Sequence, residues 1–212
     1  MSGRNRLNRF GKKSPLRKFI QFELDSLKCR YFFRNTVKIE PYINIGCGPN
    51  ILPGFTNVDF YSSRNRDRVF GHDLRYPFPF PDAVFEGAFS EHVLEHLNPE
   101  DAQALLQEIY RILKPGSVFR CIVPDLETYL RFYAGERLEG FEQFGSGCEA
   151  LSVLAYGHGH QALWDAAKLE RQLREAGFGE VSRQLYREGR DAALLQDQET
   201  RKWDSLYMEA VK

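Results

Sequence analysis

The sequence has no apolar run near the roughly 20 residues that a membrane-spanning helix needs, so a transmembrane helix is not expected. Its basic N-terminus is not followed by an apolar core and a small-residue cleavage site, so no secretory leader is expected either. None of its four cysteines (Cys29, Cys47, Cys121, Cys148) stands in a CxxC pair, and a chain of 212 residues needs no disulfide staples. Free thiols in a reducing, cytoplasmic compartment follow. There is no internal repeat and no net charge, with 29 basic and 29 acidic side chains. That balance hides an asymmetry. Residues 1–35 hold ten basic and two acidic side chains, a net +8, and the remainder holds 19 basic and 27 acidic, a net −8. A basic arm thus precedes an acidic body.

What is present is globular: 42% hydrophobic and 27% charged residues, enough chain for one domain with a real core. Residues 1–14 carry almost no apolar content and are expected to be disordered. From Pro15, helical spacing puts Leu16, Ile20, Leu24, Leu27 and Tyr31 on one face. Residues 1–36 therefore form a basic arm with an amphipathic helix, and residues 37–212 form the main domain. Strands are expected at Val37–Ile45, Thr56–Phe60, Arg68–Gly71, Val84–Phe89, Ser117–Val123, Val181–Arg187 and Ser205–Val211. Asn98 caps a helix with Pro99 at its first position, and Pro115-Gly116 stops it. A second helix spans Asp165–Ala176. Residues 125–160 hold many aromatics and glycines without a clean period and are expected to form an acceptor-side insertion or lid. Strands alternating with helices predict an α/β fold: a doubly wound, mostly parallel seven-stranded Rossmann-like sheet with helices on both faces.

The densest signal is Ile43-Asn44-Ile45-Gly46-Cys47-Gly48-Pro49-Asn50, with Asp59 at the end of the next strand. Gly-x-Gly lets the backbone turn sharply and a ligand approach closely. A carboxylate there suits a ribose diol. The dinucleotide fingerprint fails, because its third glycine would fall on Ile51 and the acid comes only 13 residues after Gly46. A nucleoside-sized site remains.

These residues, with His72-Asp73-Leu74, Phe78-Pro79-Phe80-Pro81-Asp82, Glu91-His92-Val93-Leu94-Glu95-His96-Leu97 and Leu113-Lys114-Pro115-Gly116, resemble class I S-adenosylmethionine-dependent methyltransferases. The resemblance is greatest to the type 11-like branch of cell-surface polysaccharide biosynthesis. It implies that Gly46 and Gly48, with Cys47 between them, border the methionine moiety. It implies that Asp59 holds the ribose, Phe60 packs on adenine, Asp73 and Leu74 meet the adenine edge, and Ser90 and Glu91 lie near the methyl group. Asn44 and Asn50 depart from that pattern, which has an acid and a glycine there.

His92 and His96, spaced i, i+4, would share a helical face. No third ligand is evident, so no metal is expected. His92 is the candidate base beside the methyl group. His158 and His160, presented between glycines before Trp164, are candidates for the acceptor pocket, with Tyr129, Tyr133, Phe141, Phe144 and Tyr156 nearby to stack on a sugar or base. A hydroxyl acceptor needs a base, which points to O-methylation of a saccharide or other small molecule. Two alternatives stand: a non-catalytic cofactor-binding partner protein, and an RNA methyltransferase. The chain lacks the Asn-Pro-Pro-aromatic segment of many nitrogen methyltransferases, and its acidic body counts against nucleic acid. The arm, residues 1–36, either packs on the body, contacts an anionic membrane from the cytoplasmic side, or tracks phosphates.

Overall fold

A computed structural model describes residues 15–29, 37–60 and 68–212, with side chains from residue 20 onward. The expected disorder of residues 1–14 lies outside the described residues. The elements run α1 (Pro15–Leu27), β1 (Tyr42–Ile45), β2 (Phe55–Asp59), β3 (Val69–Gly71), β4 (Phe85–Glu91), α2 (Pro99–Ile112), β5 (Leu113–Pro124), α3 (Leu126–Tyr133), α4 (Gly147–Tyr156), α5 (Ala166–Glu175), β6 (Glu180–Gln184) and β7 (Ser205–Val211). Among the described residues no helix is long and apolar enough to cross a membrane.

The seven strands form one sheet in the order β3-β2-β1-β4-β5-β7-β6. Only β7 runs antiparallel to its neighbours, β5 and β6. β1 lies between β2 and β4, so the chain winds outward in both directions from that point. Ligands of such sheets sit outside the carboxyl ends of the strands at this switch. Gly46 follows β1 there, and the register sets Ile45 beside Ser90.

Alternation along β5 assigns the two faces. Phe119, Cys121 and Val123 join the larger core with Leu105, Leu106 and Ile109 of α2 and Leu169 and Leu173 of α5. Val118 and Ile122 face the smaller core with Leu52, Phe89, Leu194 and Tyr207. Arg120 lies between these two residues and is fully buried. Its guanidinium pairs with Asp197 (2.5 Å) and Glu209 (3.1 Å) and donates to the carbonyls of Leu185 and Glu188. This side chain helps to fasten the loop after β6 to the sheet, alongside Glu209, which accepts from the Arg190 N–H.

Local chemistry explains the helix ends. The Asn98 side chain accepts from the Asp101 N–H, and Asp165 caps α5 by accepting from the Lys168 N–H. The segment without a clean period holds two short helices, α3 and α4, packed around Tyr129, Phe141, Ala150 and Leu154. The i, i+4 pair of histidines does not share a helix. His92 takes φ +55° at the end of β4, and a separate 3-10 turn, Leu94–His96, follows.

Candidate active site

The cofactor end is built on β1 and β2. Asn44 is buried, and its amide donates to the Asn50 carbonyl and to Asn57 Oδ1. Asn57 in turn accepts from the Leu52 N–H and donates to the carbonyls of Leu52 and Phe55. Asn44 thus holds the loop rather than facing a ligand. Gly46 has φ +66°, and a Cβ there would stand 2.4 Å from Val93 Cγ2. Gly48 has φ +50°, and a Cβ there would meet nothing within 4 Å, so its backbone faces open space. The Gly48 N–H donates to Asp59 Oδ2 at 2.5 Å. Burial raises the Asp59 carboxyl above its ordinary range, against the N–H groups of Gly48 and Phe60. Burial and the Asp59 charge push the Cys47 thiol up to about 12, so it stays protonated.

α1 meets this end of the sheet. Phe22 stacks on Phe60, with centroids 4.7 Å apart and planes 2° apart. Asp73 is buried and accepts from Ser26 Oγ at 2.5 Å and from the Arg75 guanidinium and N–H. Burial works to raise Asp73, but Arg75 and Ser26 outweigh it and hold the carboxyl low. Leu74 packs against the larger core. Ser90 is fully buried, and its hydroxyl has no partner among the described residues. Both Glu91 oxygens accept from Gln198, one from its backbone N–H and one from its side-chain amide. Burial raises the Glu91 carboxyl above its ordinary range.

Past β4 lies a cavity of about 550 Å³. His92, His96, His158 and His160 line it, with Tyr129, Phe144 and Trp203 and the polar Gln198 and Asp204. The expected histidines therefore come together, although His158 is exposed in a turn at φ +55°. Of the aromatics, Tyr129, Phe141 and Phe144 cluster with Trp203, whereas Tyr133 and Tyr156 are 60% and 86% exposed. Both His92 nitrogens meet protein groups. Nε2 is 2.9 Å from Ser205 Oγ, and Nδ1 is 3.4 Å from Glu95 Oε1. Burial lowers the His96 imidazole below its ordinary value, against the opposing pull of Glu95.

Nothing in the sequence pointed to Asp204. It is buried, lines the cavity, and accepts from Tyr129 Oη at 3.0 Å. Burial raises its carboxyl, with His92 and the Tyr129 hydrogen bond opposing. A carboxylate tuned upward at a cavity wall is suited to take a proton.

Residues 57–121 match the family model described as a methyltransferase domain. The solved structures similar to this chain include an S-adenosylmethionine-dependent methyltransferase from Archaeoglobus fulgidus, at 17% identity and TM-score 0.53, covering 90% of this chain and 94% of that one. Another, from Thermotoga maritima, stands at 17% identity and TM-score 0.53, with 92% and 95% covered. A third is the Burkholderia thailandensis 1,6-didemethyltoxoflavin N1-methyltransferase with S-adenosylhomocysteine bound, at 17% identity and TM-score 0.50, with 90% and 76% covered. This is the fold of S-adenosylmethionine-dependent methyltransferases. A methyltransferase-domain segment and this fold stand together in the chain, and the cofactor that goes with the fold in those neighbours is S-adenosylmethionine.

The residues present fit that cofactor. Open space at Gly48, a carboxylate at the end of β2 and an unpartnered buried Ser90 hydroxyl suit a ligand that carries a diol and an ammonium group. Gly46, Gly48, Asp59 and Ser90 are the residues that would hold it.

Proposed function

We propose that the protein methylates a hydroxyl of a saccharide or glycoconjugate, in cell-surface polysaccharide biosynthesis. The observation that carries this reading is the cavity beginning at His92, two residues past Ser90, where aromatic Tyr129, Phe144 and Trp203 stand beside polar Gln198 and Asp204. Aromatic faces with a few hydrogen-bonding groups suit a sugar ring. When bound, S-adenosylmethionine supplies an activated methyl group. The chain has to align the acceptor and remove its proton. Asp204 is the group we assign to that proton. His92 Nε2 is hydrogen-bonded to Ser205 and its Nδ1 faces the buried Glu95, which favours Asp204 over His92.

Calorimetry with S-adenosylhomocysteine tests the cofactor half. Asp59→Ala is expected to cost about 1.5–3 kcal/mol of binding through lost charge-assisted hydrogen bonds, roughly a 10- to 150-fold weakening. Unchanged affinity would remove Asp59 from the site. Methyl transfer to a panel of saccharides then tests the acceptor half.

α1 leaves Ile20, Leu24 and Leu27 exposed. Together with the basic arm this supports a peripheral contact with an anionic, cytoplasm-facing membrane that carries a lipid-linked acceptor. Deleting residues 1–14 is expected to reduce co-sedimentation with anionic vesicles and to spare cofactor affinity. Equal sedimentation would make the arm passive.

A further inference from the structure

Glu95 is 1% exposed, and neither of its carboxylate oxygens has a hydrogen-bond partner among the described residues. A buried carboxylate left in that state is strongly unfavourable unless a positive group joins it. Histidines surround it. His92 Nδ1 and His96 Nε2 lie 3.4 Å and 3.9 Å from Oε1. The His160 ring sets its edge against the His96 ring at 5.0 Å. One ligand atom from each of Glu95, His96 and His160 lies within 4.8 Å of the other two.

Outer partners fix how these rings present themselves. His160 Nδ1 is 2.6 Å from the Leu154 carbonyl, which only accepts, so Nδ1 carries the hydrogen and Nε2 offers its lone pair. The Ser205 hydroxyl donates to the Arg201 carbonyl at 2.7 Å, so His92 Nε2 donates to Ser205. Nδ1 of the same ring faces Glu95 Oε1. Backbone carbonyls that orient imidazoles in this way are the usual outer support of metal-ligating histidines.

We propose that Glu95, His96 and His160 bind one divalent transition cation. Two imidazoles and a carboxylate are the donors of three-ligand zinc sites that keep a position open. Tetrahedral ligands at about 2.0–2.1 Å stand roughly 3.3 Å from one another, so the rings close in by about an ångström on binding. The His96 side chain is 42% exposed and has room to swing. His96 and His160 both line the cavity, so the open position faces it. An oxygen ligand from the acceptor fits there, a role that rests on the methyl-transfer reading. Metal binding itself does not. The sequence conceals the site because the third ligand comes from the turn after α4, far along the chain from the Glu-His pair.

The test is a Zn2+ titration of the full chain against a chelating indicator, without cofactor. One Zn2+ per chain is expected. Glu95→Gln and His160→Ala are each expected to weaken it roughly 100-fold, the upper end of what losing even an orienting partner costs. Co2+ in the same protein is expected to give the visible bands of four-coordinate cobalt, lost in both variants. If Glu95→Gln does not fold, His160→Ala decides, since its ring stands on the cavity wall. No Zn2+ bound by the parent protein would overturn the site. So would binding that the folded variants leave unchanged, which would place the ion elsewhere, at the exposed Cys148 thiol for example. S-Adenosylhomocysteine calorimetry on the same samples reports separately on the methyltransferase reading.

Discussion

Arg120→Ala is expected to lower unfolding free energy by about 3–5 kcal/mol, because removing one member of a buried ion cluster leaves the others uncompensated. Arg120, Asp197 and Glu209 all have fully buried side chains. Without the guanidinium, two carboxylates face each other away from water, and the carbonyls of Leu185 and Glu188 lose their donor. The loss is a large fraction of a typical domain's roughly 5–15 kcal/mol. Arg120→Lys is expected to recover little, since one ammonium cannot replace a planar fork bonded to several acceptors. Urea unfolding followed by circular dichroism measures both. A loss below about 1 kcal/mol for the alanine variant, within the range of a surface ion pair, would mean that the cluster does not hold the loop.

Asp204→Asn is expected to lower kcat by about 10²–10⁴-fold, the usual contribution of a positioned base. Asparagine keeps an oxygen for Tyr129 Oη, so the cavity wall should survive and cofactor affinity should not change. The pH dependence has a definite sign. The base works deprotonated, and burial raises its carboxyl, so activity falls as pH drops through a value above the ordinary aspartate range. That acid limb is expected to vanish in the asparagine variant. Full activity in Asp204→Asn would return the proton to a histidine of the cavity.

The fold was readable because its signals are local. Apolar runs bounded by turn residues placed the seven strands, and Asn98 announced its helix through capping chemistry that needs only a neighbour three positions away. The place of Asp59 was legible for the same reason, at the end of a strand one short loop after Gly46. The rest depends on contacts between distant segments. Arg120 reads as a lone charge in an apolar strand, and its partners lie 77 and 89 positions away. Asp204 and Tyr129 meet across 75 positions. His92 and His96 suggested a helix by spacing, but the left-handed backbone at His92 breaks it, and Glu95 gathers the rings instead.

Arg120 grips the loop after β6 partly by its main chain, through two carbonyl oxygens that any residue would provide. The anchor therefore leaves the identity of Leu185 and Glu188 unconstrained. Beyond it, Gln198, Thr200, Arg201 and Trp203 form the cavity wall. Gln198 and Trp203 are tied to Glu91 and to the aromatic cluster, but Thr200 and Arg201 are exposed and free to diverge while the scaffold stays fastened, so a library randomised at those two should retain folded members and change which acceptors they choose.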